Sequence, residues 1–283
     1  MSRSADSPLI QPPHDLAGWS ACFDAQALPV LAETADALDE LRQSEDAVDA
    51  RLLAETVSSD PLLTLKLLAH VGRLQRRRNA EGRGDTETVT AALVMLGIGP
   101  FFRHFTAMST VEDALAGQPD ALCGFGDVLT RGRRAANFAL GFAVHRMDPD
   151  AAVIHEAALL HDFAELLLWW RAPALAQRIA LRQRADPALR SAAAQREVLN
   201  IELADLQHQL MIDWALPALL VRISDDRHAD SAQVRNVLLA VRVARHSAQG
   251  WDNPALPDDV TEIAELLHLG CAPTWTLLRE IDG

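Results

Sequence analysis

Apolar side chains recur at three- and four-residue steps along most of this chain, the spacing of one face of an α-helix. The first clear example consists of Leu28, Leu31, Ala35, Leu38 and Leu41. Further helices are predicted over about 48–53, 61–71, 86–96, 100–115, 126–147, 150–171, 173–184, 187–199, 201–215, 217–226, 231–249, 257–268 and 273–281. The chain has no tyrosine and no sustained alternation typical of strands, so we predict an all-α fold.

Proline and glycine mark the predicted ends of several helices. Asp60 can cap a helix that begins at Pro61, and Gly72 is expected to end it. Residues 1–24 contain three prolines and little periodicity, and we interpret them as an N-terminal tail. A break near 116–125, where Gly117, Pro119 and Gly124 occur, separates a predicted N-terminal lobe over 25–116 from a C-terminal lobe over 117–283.

Charge and composition narrow the possible functions. The 283 residues are 49% hydrophobic, enough for a sizeable core, and carry a formal net charge of −13. Because phosphate repels an acidic surface, general nucleic-acid binding is disfavoured. The three cysteines have no C-x-x-C spacing, and no secretory signal or membrane-length apolar run is present. We therefore expect a soluble cytoplasmic protein that does not associate with membranes.

One predicted helix has two polar residues at its centre. The stretch ALLHDFAELLLWW, residues 158–170, is apolar almost all the way round except for His161 and Asp162. Burying a carboxylate without a partner costs several kcal/mol, so Asp162 needs a cation or a metal. As a structural pair, Asp162 would bind an arginine of the 131–134 segment, and His161 a neighbouring carbonyl or Glu165.

Four segments together resemble the HDOD domain, the HD-related output domain of bacterial signalling proteins. They occur in the family's order over about residues 25–250: SSDPLLTLKLLAHVG, TVTAALVMLGI, AALLHDFAELLL and LMIDWALPALLVRISDDRH. This resemblance implies two helical lobes, of which the C-terminal lobe is similar to HD phosphohydrolases. Those enzymes bind a metal through a scattered His, an adjacent His-Asp pair and a later Asp, and the metal activates water.

Arginines occupy the positions where the resemblance implies the other metal ligands. The segment expected to supply the scattered His offers Arg131, Arg133 and Arg134, and the position of the late Asp matches Arg245. The family's HH doublet is Arg227-His228 here. Since arginine repels a divalent ion and cannot ligate it, we expect no cofactor and no intact metal site, with His161 and Asp162 as a remnant pair. Residual divalent-metal binding is the alternative.

The predicted function is therefore non-catalytic signal transduction by binding of a protein or a small ligand. The resemblance implies that such domains often accompany receiver, diguanylate-cyclase or phosphodiesterase modules. Because the sequence contains none of these, we expect a signalling protein in trans as the partner, with components of cyclic-dinucleotide pathways among the candidates. One alternative is a divergent metal-dependent phosphodiesterase that uses His161 and Asp162. The other is a small-anion or nucleotide receptor, whose candidate contacts are Arg131, Arg133, Arg134, Arg227, His228 and Arg245.

The sequence contains three further features to which it does not assign a single role. The Arg-rich segment 73–85 is interpreted as a solvated loop, with a phosphate contact or docking point as the alternative. Clustered aromatic residues Phe101, Phe102 and Phe105 favour the core over an exposed docking patch. We assign no role to Trp251 and Trp275 from the sequence.

Overall fold

The structure, a computed structural model, describes residues 8–77, 86–186 and 188–283, with only the backbone of Asp46. Within those residues the secondary structure is helical, apart from an isolated parallel bridge between Val30 and Thr110. The α-helices are α1 Leu16–Ser20, α2 Ala32–Gln43, α3 Ala50–Ser58, α4 Pro61–Arg77, α5 Val89–Leu96, α6 Ile98–His104, α7 Val111–Ala114, α8 Pro119–His145, α9 Ala151–Leu159, α10 Phe163–Arg171, α11 Pro173–Ala185, α12 Ser191–Leu199, α13 Leu203–Asp213, α14 Ala218–Ile223, α15 Ala232–His246, α16 Leu256–Leu267 and α17 Cys271–Asp282. The predicted all-α fold is confirmed.

The described chain forms two compact units, each assembled from separate stretches. The first unit contains α1 to α7, the start of α8 up to Val128, and α10 to α13. The second unit contains the rest of α8 from Leu129, together with α9 and α14 to α17. The predicted continuous lobes over 25–116 and 117–283 stay a prediction.

The core of the first unit includes residues of the segment 1–24, which was predicted to be an N-terminal tail. The side chain of Trp19 on α1 is 0% exposed, and its indole Nε1 donates a hydrogen bond of 2.9 Å to the carbonyl of Leu199. Trp19 also stacks on Phe23. The α1 segment therefore packs in this unit, which its weak helical periodicity did not predict.

Several predicted helix boundaries in the first unit are wrong, among them the end expected at Gly72, since α4 continues to Arg77. The helix predicted over 100–115 ends at His104 and resumes at Val111, because the intervening backbone pairs with Val30. Val30 donates to Ser109 O at 2.9 Å and accepts from Val111 N at 2.9 Å. The helix predicted from 126 begins at Pro119 and continues through Gly124, where the indole of Trp169 packs against the backbone.

The predicted core role of the phenylalanine cluster is confirmed. Phe101, Phe102 and Phe105 are 0%, 4% and 1% exposed, respectively, so they cannot form a surface docking patch. Phe105 lies beside two histidines, with its ring centroid 5.8 Å from that of His70 and 4.8 Å from that of His104.

The two histidines, one on α4 and one on α6, lie in contact with their rings tilted by 37°. Their ring centroids are 3.8 Å apart, and His104 Nε2 lies 3.0 Å from Gln26 Oε1. Burial lowers the pKa of His70 to about 4, with further lowering by His104 and Arg73. Burial also lowers the pKa of His104, assisted by Lys66 and Arg73. Both rings are therefore neutral at neutral pH.

We expect this histidine pair to make the first unit sensitive to acid. Because the pKa of each folded-state histidine lies below the unfolded value of about 6.5, the pair's contribution to stability is present above pH 6.5 or so. The His70 part of this contribution is lost as the pH falls through about 4. Urea unfolding at about pH 7 and about pH 4.5 should show a smaller loss of unfolding free energy for His70→Gln than for wild type. Equal losses in both proteins would contradict this assignment.

Candidate functional site

The His-Asp pair lies at a helix break rather than inside one helix, so the helix predicted over 150–171 is wrong at its centre. Helix α9 ends at Leu159 and α10 begins at Phe163. His161 N donates to Ala158 O at 3.3 Å in a tight turn, and Asp162 O accepts the first bond of α10 from Glu165 N at 3.0 Å. Asp162 has φ −111° and ψ 24°, and its side chain does not cap α10.

His161 pairs with a residue that the sequence did not predict. Its Nε2 lies 3.4 Å from Asp226 Oδ1, in the short helix Asp226–His228 that follows α14. The His161 side chain is 15% exposed and that of Asp226 is 52% exposed. A separation of 3.4 Å is long for a hydrogen bond, so this contact is a weak polar link that extends toward solvent.

The Arg227-His228 doublet is held by the preceding aspartate. Arg227 Nε lies 2.8 Å from Asp225 Oδ1, and His228 Nδ1 lies 3.2 Å from Asp225 Oδ2. The hydrogen bond from the Arg227 side chain is the largest cause that lowers the pKa of the Asp225 carboxyl. This carboxylate therefore pairs with both candidate residues on its own loop.

Arg134 also has an internal partner, but the partner is Asp282 rather than the predicted Asp162. Its Nε and Nη2 donate to the two carboxylate oxygens of Asp282 at 2.7 and 2.8 Å. The same guanidinium donates to Ala244 O at 3.1 Å and to Ser247 Oγ at 2.9 Å, which links α8 to α15 and α17. Pairing of Asp162 with Arg131 or Arg133 stays a prediction.

Loss of this guanidinium should destabilise the protein measurably. Both side chains of the pair are about four-fifths buried, so Arg134→Gln leaves the Asp282 carboxylate without its two strongest donors. We expect the unfolding free energy to fall by about 1.5–3 kcal/mol. The control is Arg51→Gln. Arg51 is 87% exposed and pairs with Glu55 on the surface, so this substitution should change the unfolding free energy by less than about 0.5 kcal/mol. Equal effects of the two substitutions in urea unfolding would rule out the structural role of Arg134.

Another ion-pair network, which the sequence did not predict, joins α15 to α16. Asp259 is 0% exposed, and its carboxylate accepts from Arg242 Nη2 at 2.7 Å and from His246 Nδ1 at 2.5 Å. Arg242 also binds Glu262 at 2.9 Å, and this hydrogen bond is the main cause that raises the pKa of Arg242. Arg245, which was predicted in place of the late Asp, is exposed on the same helix.

The residues present do not fit an HD-type metal site. A catalytic metal needs about three protein ligands that converge on one point. Across the part of the chain that the structure describes, no group of three or more His, Cys, Asp or Glu side chains could hold a metal ion. At two of the expected ligand positions, Arg134 and Arg227 form ion pairs with Asp282 and Asp225.

The Arg-rich segment 73–85 is described only in part. Arg73 lies 3.8 Å from Asp24, and Arg76 Nη2 donates to Ile212 O at 3.3 Å. Arg77 is exposed at the end of α4. Arg78 and Arg83 lie outside the described residues, so the role predicted for the whole segment stays a prediction.

Solved structures with a similar fold come from bacterial proteins. The MmoQ response regulator from Methylococcus capsulatus str. Bath shares 22% identity and a TM-score of 0.65, over 89% of this chain and 98% of that chain. A virulence factor from Campylobacter jejuni subsp. jejuni shares 18% identity and a TM-score of 0.56, over 85% of each chain. At these identities the likeness establishes the fold alone.

A family comparison identifies the chain more directly. A search of curated proteins finds no match. Among the described helices, none is both long enough and apolar enough to cross a membrane. The family model of the HDOD domain matches residues 28–229, well over half of the sequence and including all four segments that carry the resemblance. The chain therefore belongs to the HDOD family.

Proposed function

We propose that this protein is a non-catalytic signalling output protein that acts by binding a partner protein or a small ligand. The observation that carries the proposal is the internal use of arginines near the expected ligand positions. Arg134 binds Asp282 through two hydrogen bonds, and Arg227 binds Asp225. An arginine cannot ligate a divalent ion, and both guanidinium groups are paired with carboxylates that could otherwise do so.

The chemistry of hydrolysis supports the same conclusion. A divalent ion must be held by several ligands and still leave a position for the water that it activates. His161 has Asp226 at 3.4 Å as a polar neighbour, and Asp225 is already bonded to Arg227 and His228. The Asp225 carboxylate is therefore less able to bind a metal, because it is already paired with a guanidinium and an imidazole.

A signalling role agrees with the family and with the fold. The MmoQ protein, whose structure is similar, is described as a response regulator. The partner is proposed to be a signalling protein that acts in trans. Components of cyclic-dinucleotide pathways are the candidates that the family resemblance favours.

Hydrolysis assays separate this proposal from the phosphodiesterase alternative. Purified protein is incubated with Mn²⁺ or Mg²⁺ and with bis(p-nitrophenyl) phosphate or cyclic dinucleotides. We expect product formation at the rate of the buffer alone, with no difference between wild type and Asp162→Ala. Metal-dependent turnover that is lost in Asp162→Ala would overturn the proposal.

Thermal unfolding distinguishes the two modes of binding. A small ligand present at about one hundred times its Kd should stabilise the folded state by about 2.7 kcal/mol and raise the melting temperature. A rise with a cyclic dinucleotide or a nucleoside phosphate would assign the small-ligand mode. If the melting temperature does not change across that panel, the protein-binding mode is favoured.

A further inference from the structure

Two tryptophans and one arginine form a partly exposed cluster in the second unit, after the segment matched by the family. The ring centroids of Trp251 and Trp275 are 5.9 Å apart in an edge-to-face arrangement. The guanidinium carbon of Arg279 lies 6.0 Å from the Trp251 ring centroid and 5.9 Å from that of Trp275. Both tryptophans are partly exposed, and Arg279 is exposed. We call these three residues the Trp-Arg cluster.

The Trp-Arg cluster is fixed by buried neighbours on its inner side. Trp251 packs edge-to-face on Phe138, which is 0% exposed. Helix α17, which carries Trp275 and Arg279, is anchored by Thr274 and Leu278, both 0% exposed. Trp251 and helix α17 are therefore positioned before any partner arrives, which lowers the entropy lost on binding.

Arg279 differs from the arginines described above because its charge has no acidic partner within the described residues. Its guanidinium makes cation–π contacts with the two indoles, but no described side chain or carbonyl accepts a hydrogen bond from it. A guanidinium has five N–H donors in a planar fork that matches a carboxylate. The cluster thus presents an oriented cation with unused donors beside two aromatic surfaces.

We infer that the Trp-Arg cluster is a docking site for a partner protein that supplies a carboxylate beside an apolar side chain. Tryptophan and arginine are the residue types most enriched among the positions that dominate binding energy at protein interfaces. The carboxylate would accept two hydrogen bonds from Arg279, and the apolar side chain would cover the exposed part of Trp275. This inference rests on the binding role proposed above and assigns it a surface.

Shape and charge favour this occupant over a nucleotide. A small molecule is usually bound in a concave pocket that buries most of its surface. The two indoles contact each other edge to face, so no gap between them could receive a base. The net charge of −13 repels a strongly acidic partner at long range, which favours a single well-placed carboxylate over a polyanion.

The inference is tested by selecting binders from a random heptapeptide display library on the full-length protein. Selected peptides should share an Asp or Glu next to an aromatic or aliphatic residue. Their Kd should rise about tenfold or more for Arg279→Ala. Arg279→Lys keeps the charge but loses the planar fork, so it should also weaken binding. The matched control is Arg235→Ala, which removes an exposed arginine paired with Glu265 at 3.0 Å and should leave the Kd unchanged.

Other results would overturn the inference. Selection of no binders, selection of peptides without an acidic residue, or equal affinity for wild type and Arg279→Ala would each exclude this docking site. A shift of the Trp251 and Trp275 indole N–H signals on titration with GMP, but not with the selected peptides, would assign the cluster to a nucleotide instead. Hydrolytic activity in the assays above would overturn the proposed function without affecting the peptide result.

Discussion

Replacement of Gly72 by alanine should lower the free energy of unfolding by about 2–4 kcal/mol. Gly72 lies within α4. Glycine inside a helix normally costs about 0.5–1 kcal/mol relative to alanine, so replacing a helical glycine by alanine usually stabilises the protein. Here a Cβ atom at Gly72 would lie 2.1 Å from Ala215 O and 3.1 Å from Ala215 C. These are backbone atoms, so relief of the overlap requires the turn after α13 to move away from α4.

Gly126→Ala is the matched control for this prediction. Gly126 also lies inside a helix, and nothing is found within 4 Å of a Cβ placed there. This substitution should therefore raise the unfolding free energy by about 0.5–1 kcal/mol. Urea unfolding of the two variants should give changes of opposite sign. If both variants were stabilised, the close approach of α4 to Ala215 would be wrong.

Asp60→Ala should be the most destabilising single substitution considered, with a loss of about 3–5 kcal/mol. Asp60 is 0% exposed and accepts hydrogen bonds from Leu62 N at 2.8 Å and Leu63 N at 3.1 Å at the start of α4. Its second oxygen accepts from Leu31 N at 2.8 Å, which ties the start of α2 to α4. Alanine would leave these backbone donors buried without an acceptor.

Asp60→Asn separates the capping effect from the loss of the side chain. The amide keeps one carbonyl oxygen, which can still accept from Leu62 N and Leu63 N, but its NH₂ group cannot accept from Leu31 N. We expect a loss clearly smaller than that of Asp60→Ala when both are measured by urea unfolding. An asparagine variant as unstable as the alanine variant would contradict the assignment of the cap.

Features of the fold that depend on local sequence could be predicted. The helical periodicity gave the all-α fold, and the Asp60-Pro61 pair gave the start of α4, because a helix and its cap involve residues only a few positions apart. The phenylalanine cluster was assigned correctly to the core, since aromatic residues that recur on a helix face are normally buried.

Features that depend on distant contacts could not be predicted. Gly72 resembles a helix terminator in the sequence, but α4 continues to Arg77, and the glycine leaves space for the Ala215 carbonyl beside the helix. The break at His161 and Asp162 contains neither Pro nor Gly, so the apolar period passes through it unchanged. The partners of His161 and Arg134 are 65 and 148 residues away along the chain, respectively, and no local pattern links them.

Calorimetric titration with Mn²⁺ tests most directly the central claim that His161 and Asp162 are not part of a metal site. For wild type and for Asp162→Ala alike, the account predicts no saturable binding tighter than a Kd of about 1 mM. Saturable binding of Mn²⁺ in stoichiometric amount with a Kd of about 1 μM, lost in Asp162→Ala, would contradict it.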